Sequence, residues 1–422
     1  MWYRKKNKEN LFVVYYVLTI VAFPLMAILA SVLDVETIVT MIPYRGTVLI
    51  LAVFLLVFHK NKIFTGENNL VIYIFIVFVV YYLLRISLYL YLDTQNSFIT
   101  FKLKKSYYLM LAGGVSFFPS LVFLKKLNLE TYNKIIKYFK FLFPLVLLLL
   151  YIQGLEYIRD SHTWQTGQIH FSKFSYINFG HFGTSVALFF VFLLFTNKNK
   201  STKIFLFYLI VTLWGIFTTF YSGSRGAMIA LIGSLAFFAI ARMKKNKAIL
   251  FLLVLFLALY ITIPFISEIF HISALERIDS AISGADKSTS LRLFFYETAW
   301  DNFLQNPLFG GALEVRTLGQ SFYPHNIIFE GFMSAGLFGG GLLLAILYFS
   351  LKKSNEILRI KSYLGWVALL NIQYIIAGFF SGSIYSNFLM WWLIALNIGV
   401  PLINLNQIYH KISKMNSANS KI

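Results

Sequence analysis

Apolar runs long enough to cross a bilayer recur along this chain, separated by short polar stretches in which Lys and Arg gather. A hydrocarbon core takes about 20 helical residues. Read that way, the chain predicts twelve transmembrane helices, at roughly 11–30, 46–58, 70–92, 106–124, 141–158, 176–196, 204–221, 226–241, 248–267, 326–350, 362–381 and 384–404. The second run is short and can extend back through Pro43, and the last two are parted only around Gly382. No repeat and no soluble domain interrupts the pattern. The expectation is an all-α, polytopic membrane protein forming a single integral-membrane domain over 1–422.

One polar segment, 268–325, is far longer than the others. Long loops in compact proteins usually carry function. Within it Ser288-Thr289-Ser290 offers helix N-caps, and Asn306-Pro307 with Gly310-Gly311 offers a stop. Leu291, Phe294, Phe295 and Phe303 sit near helical spacing, which predicts a short amphipathic helix lying at a membrane surface.

Charge orients the chain. With the N-terminus in the cytoplasm, alternate loops hold 25 Lys and Arg on the inner side and 11 on the outer side. Basic residues favour cytoplasmic loops. This places both termini in the cytoplasm and the 268–325 segment outside, as expected of a bacterial inner-membrane protein. The net charge of +20 is spent on these clusters, which leaves no basic face for nucleic acid. Apolar residues are 58% and charged residues 13% of the chain, far from soluble averages. The first run is long enough to span and lacks a clear cleavage site, so it reads as a helix and not a signal peptide. Cysteine is absent, which excludes disulfides and thiolate metal sites.

Three outer-side basic residues are candidates for chemistry. Arg225 lies in Tyr221-Ser222-Gly223-Ser224-Arg225-Gly226-Ala227, where a tight turn leads straight into the next helix. Helix N-termini attract anions, and an arginine adds a fork of donors that suits a phosphate. The competing reading is an interface arginine that snorkels to headgroups. Arg292 sits in the first turn of the loop helix, where a cation opposes the dipole and an anionic ligand would offset it. Pairing with Glu297 or a lipid phosphate is the plain alternative. His325 follows Pro324 where the loop re-enters the membrane, and can be either a neutral general base or a structural residue bonded to a carbonyl. Arg85 reads as the one clear mid-span charge, near the outer end of its span, and is a weaker candidate. The outer segments show no carboxylate cluster, no His-Glu-x-x-His and no nucleotide loop. Neither a cofactor nor a divalent metal is expected.

At these residues the chain resembles the O-antigen ligase and polymerase family, integral-membrane glycosyltransferases of the GT-C type. Three blocks carry the likeness. One is Ser222-Gly223-Ser224-Arg225-Gly226-Ala227. The next runs from Ser290-Leu291-Arg292 to Asn306-Pro307-Leu308-Phe309-Gly310. The third is Pro324-His325-Asn326-Ile327-Ile328-Phe329-Glu330 followed by Gly336-Leu337-Phe338-Gly339. Together they cover about residues 220–345.

The resemblance implies transfer of a glycan from undecaprenyl diphosphate to an acceptor hydroxyl at the periplasmic face. Arg225 and Arg292 would hold the diphosphate and His325 would take the acceptor proton; Tyr323 and Asn326 beside it, and Arg85 on the strength of its place in a span alone, are further substrate-binding candidates. Implied partners are the lipid-linked donor and acceptor and the surrounding lipids, with a chain-length regulator protein as a further candidate. The third block looks more like a polymerase, acting on a lipid-linked repeat unit, than a ligase, acting on lipid A–core. A transporter or flippase is the rival of another class. It should show internal repeats and several ionisable groups within the spans. A purely structural scaffold would not need the long outer segment.

Overall fold

The computed structural model describes residues 2–58, 69–95, 108–160, 174–196, 201–270, 287–317 and 320–402. Several of the segments used in the charge count, 59–68, 96–107, 161–173, 197–200 and 403–422, lie outside these residues, as do Glu276, Asp279 and Asp286 of the long segment. A helix is present at every predicted span. They are α1 (Trp2–Val32), α2 (Thr37–Phe58), α3 (Asn69–Gln95), α4 (Met110–Phe123), α5 (Leu129–Asp160), α6 (Tyr176–Thr196), α7 (Thr202–Tyr221), α8 (Arg225–Arg242) and α9 (Lys245–Phe270). After the loop helix α10 (Lys287–Gln305) follow α11 (Ile327–Arg359), α12 (Gly365–Gly378) and α13 (Phe388–Gly399). Eight of the helices are long and apolar enough to cross a membrane, so the chain is a multi-pass membrane protein. A small antiparallel ribbon, β1 (Val315–Thr317) and β2 (Gln320–Phe322), pairs Arg316 with Ser321 and interrupts the helical pattern within the long segment.

Helix α2 does run back through Pro43, which is tolerated inside a membrane helix where neighbouring groups satisfy the freed carbonyl. Helix α5 starts twelve residues earlier than its apolar run, because Leu129–Lys140 is amphipathic and is braced by a Lys134–Glu130 ion pair of 2.9 Å. Helices α12 and α13 are shorter than a full span, and nearly all their residues are buried in the bundle. Between them, 379–387 is irregular, not the brief gap the apolar pattern predicts. Irregular backbone at membrane depth is tolerated where protein surrounds it. Here Ile384 N–H donates to both oxygens of Glu330 at 3.0 Å, and Trp391 Nε1 donates to Ile384 O at 2.7 Å. The interior is aromatic, with Trp366, Trp391 and Trp392 fully buried. A polar cluster also ties α11 to α12 and α13. Asn371 bonds Ser350 and Ser354, and Asn397 Nδ2 donates to Ser350 O at 2.8 Å. Such bonds are worth about 0.6 kcal/mol each between membrane helices.

Helix α11 is broken. Gly336 stands at φ 64°, ψ −163°, a conformation that ends the helical ladder for one turn. The backbone groups this frees are met by the chain that precedes the helix. Gly311 N–H donates to Met333 O at 2.9 Å, and Leu337 N–H donates to Pro307 O at 2.7 Å. Tyr81 of α3 donates to Ala335 O at 3.0 Å, and Arg85 donates to Gly310 O at 2.6 Å and Ser334 O at 3.3 Å. The Asn306–Gly310 turn thus docks into the break backbone to backbone. A Cβ placed on Gly336 would run into the Leu308 carbonyl, and one on Gly310, at φ 77°, would lie 2.5 Å from the Ser334 carbonyl carbon.

Gly336→Ala should therefore lower thermal stability sharply. Backbone strain alone costs about 1–3 kcal/mol, and the new methyl must also push the docked turn away. Gly341→Ala, with open space around its Cβ, is the control and should leave the melting temperature unchanged or raise it.

Candidate functional site

The loop helix α10 has two apolar sides. Phe295, Ala299 and Phe303 are buried, with Phe295 and Ala299 packed against Val315 and Met333. Tyr296 stacks on Phe329 at 4.9 Å, which presses α10 onto the first turns of α11. Leu291, Leu293, Phe294, Trp300 and Leu304 are exposed. The predicted single apolar face is split, Phe295 and Phe303 turning inward while Leu291 and Phe294 turn outward. Packing against α11 claims the inner set, and an outward apolar row with Trp300 suits a lipid surface.

Beneath α10 and the Tyr323–His325 turn lies a cavity of about 510 Å³. Arg292, Tyr323 and His325 line it from the loop. From the bundle come Arg45 of α2, Asn178 and His181 of α6, and Ser381 and Asn387 of the α12–α13 connection. Its other walls are mostly apolar and aromatic. No Asp or Glu is among the described lining residues. Two arginines facing a cavity whose described lining holds no carboxylate favour an anionic ligand.

His325 is the most constrained of these residues. Its φ is 60°, a left-handed conformation that histidine tolerates better than most residues. Pro324 before it is buried, and Asn326 after it caps α11, accepting from Ile328 N–H at 2.9 Å and Phe329 N–H at 3.4 Å. The imidazole lies over Phe295 and against Tyr323, with ring centres 6.1 and 4.3 Å away. Burial, and then the Arg292 guanidinium, push its pKa down to about 4. The imidazole is therefore neutral at pH 7, with a lone pair able to accept a proton. Burial and the nearby Glu330 also raise the Tyr323 phenol, against the opposing pull of Arg292, so it stays a hydrogen-bond donor.

Arg225 occupies the first position of α8. Ser222 closes α7 and Ser224 caps α8, its Oγ accepting from Ala227 N–H at 3.4 Å, while Gly223 at φ 67° makes the tight turn between them. The guanidinium does not line the cavity. Its Nη1 donates to Thr289 Oγ1 at 3.3 Å, one turn before Arg292 on α10. The cavity wall nevertheless passes beside it, because His181 Nε2 lies 3.9 Å from the Cβ position of Gly226. Arg85 lies at the α11 break, outside the cavity lining, with its guanidinium on two carbonyls.

Three ionisable residues received no role from the sequence. Arg45 was counted among loop charges but stands inside α2. His181 is buried in α6, and neither ring nitrogen has a partner among the described residues. Glu330 is fully buried in the first turn of α11, bonded by Tyr82 at 3.3 Å as well as by Ile384. Arg85 is thus not the one charge within the spans, and the argument this offered against a transporter falls. The rule that an ionisable residue in an apolar run marks function would have found all three.

The sequence match bears on the class. No curated protein matches the chain. Residues 210–344 match the family model described as O-antigen ligase. That stretch is about a third of the chain, and it holds Arg225, Arg292, His325 and the whole of α10 with its docked turn. Over that stretch the chain is similar to the O-antigen ligase family.

Proposed function

We propose that this protein is an O-antigen polymerase. It transfers a glycan from undecaprenyl diphosphate to a hydroxyl of a second lipid-linked repeat unit, at the periplasmic face of the inner membrane, with both termini in the cytoplasm. The observation that carries this reading is the cavity beneath α10, with no carboxylate among its described lining residues, where Arg292 and a neutral His325 stand together. In the reaction the glycosidic bond to the diphosphate breaks as the acceptor oxygen bonds to the sugar carbon. The leaving diphosphate gains charge, and Arg292 is placed to stabilise it with a planar fork of donors. Arg225, which bonds Thr289 one turn before Arg292 on α10, is the second arginine of this clamp. His325 takes the acceptor proton, and Tyr323 offers a hydroxyl to the bound glycan. The donor is already activated, so the reading calls for no nucleotide and no metal.

The ligase reading is favoured by the description of the matching family model. Lipopolysaccharide from a deletion strain separates the two. Core bearing one repeat unit is the expected result and identifies a polymerase. Core with no repeat would identify a ligase and overturn the proposal.

A further inference from the structure

Arg45 stands on α2 eight residues beyond its start at Thr37, which is about 12 Å along the helix axis. Most of that helix faces outward, with Ile42, Ile50, Val53 and Phe54 exposed. Arg45 turns the other way, is half-buried and lines the cavity that holds Arg292 and His325. A charge at this depth needs a partner or a path to water. Arg85, in the neighbouring span, shows the structural solution, with its guanidinium spent on two backbone carbonyls. Arg45 shows the opposite. Its Nε–H is buried without a partner among the described residues, and none of the described residues of its cavity wall is a carboxylate. Two arginines, one from a span and one from the loop helix, therefore face a single cavity, with no acid among its described lining residues.

We infer that Arg45 is a binding residue for the anionic head of a polyprenyl diphosphate, acting in the same cavity as Arg292. This rests on the lipid-diphosphate reading above and adds a ligand that the 210–344 match does not reach. The two arginines come from chain segments nearly 250 positions apart, so the head is gripped between the bundle and the loop. Fixed from the bundle side, the diphosphate lies below the α10 surface and leaves the His325 side of the cavity for the acceptor.

The test uses the full chain in nanodiscs with undecaprenyl diphosphate as the probe. Arg45→Gln should weaken binding tenfold or more, and Arg45→Lys should recover only part of it, because an ammonium lacks the planar fork. A second measurement needs no variant. Arginine-directed labelling of the wild-type protein, read by peptide mass, should modify Arg45 when the probe is absent and spare it when the probe is present. Unchanged binding by Arg45→Gln, or equal labelling with and without probe, overturns the inference while leaving the diphosphate reading intact. If the wild-type protein fails to bind the probe at all, the diphosphate reading itself falls, and the inference with it.

Discussion

His325→Ala is expected to lower the rate of glycan transfer by about 10²–10⁴, the usual worth of a positioned base, while donor binding changes little. The separation follows from position. His325 is neutral and contributes no charge to holding a diphosphate, whereas the arginines do. The left-handed backbone at His325 requires a control, since alanine there is strained by about 1–2 kcal/mol. Asparagine tolerates that conformation, so His325→Asn should melt like the wild type and be as inactive as alanine.

The pH dependence gives an independent check. Only the neutral imidazole accepts a proton, so activity is present above its pKa and lost as pH falls through it. With a pKa pushed down to about 4, kcat/KM, which reports the free enzyme, should stay level from pH 7 well into the acid range and fall only as pH nears that value. In kcat the acid limb should lie higher, because a bound diphosphate offsets the positive field that depresses the imidazole. An acid limb of kcat/KM near 6.5 would mean that His325 is exposed to water and that the enclosed site is wrong. Normal activity of both variants would remove His325 from the chemistry.

Arg292→Ala should be at least as severe and should differ in kind. Each charge-assisted hydrogen bond is worth about 1.5–3 kcal/mol, so kcat/KM should fall by roughly 10- to 100-fold for each bond lost, with donor binding falling alongside. The same substitution removes the charge that, after burial, lowers the His325 pKa. The acid limb of the residual activity should therefore move to higher pH. Arg292→Lys restores the charge without the fork, which predicts a wild-type acid limb with poor donor affinity. Full donor binding by Arg292→Ala would take the diphosphate out of this cavity. An unmoved acid limb would instead show that Arg292 does not govern the imidazole.

The positions of the spans were legible in the sequence because a bilayer imposes one length on every crossing. Where helices run on past the lipid, as α5 does into its basic stretch, hydropathy could not see the end. The shortened α12 and α13 were hidden for a related reason: Gly365–Gly399 carries no charged residue, whether or not its backbone is helical. Arg292, Tyr323 and His325 were legible because they stand in polar sequence where chemistry is visible. Arg45, His181 and Glu330 sit in apolar runs, and their partners are remote: Glu330 meets Tyr82 and Ile384, neither within fifty positions of it. The role of Asn306–Gly310 was legible only as a helix stop. That the same turn fills a break in α11 depends on a backbone conformation at Gly336 that glycine permits but does not announce.

That break bears on the order in which the protein is made. The groups that complete it are Tyr81, Arg85, Pro307, Gly310 and Gly311, and every one precedes Met333 in the chain. When Gly336 leaves the ribosome, its partners have already been synthesised, and those nearest to it have only just emerged. The interrupted helix therefore never waits in lipid for a residue still to be translated, where each unsatisfied backbone group would cost several kcal/mol.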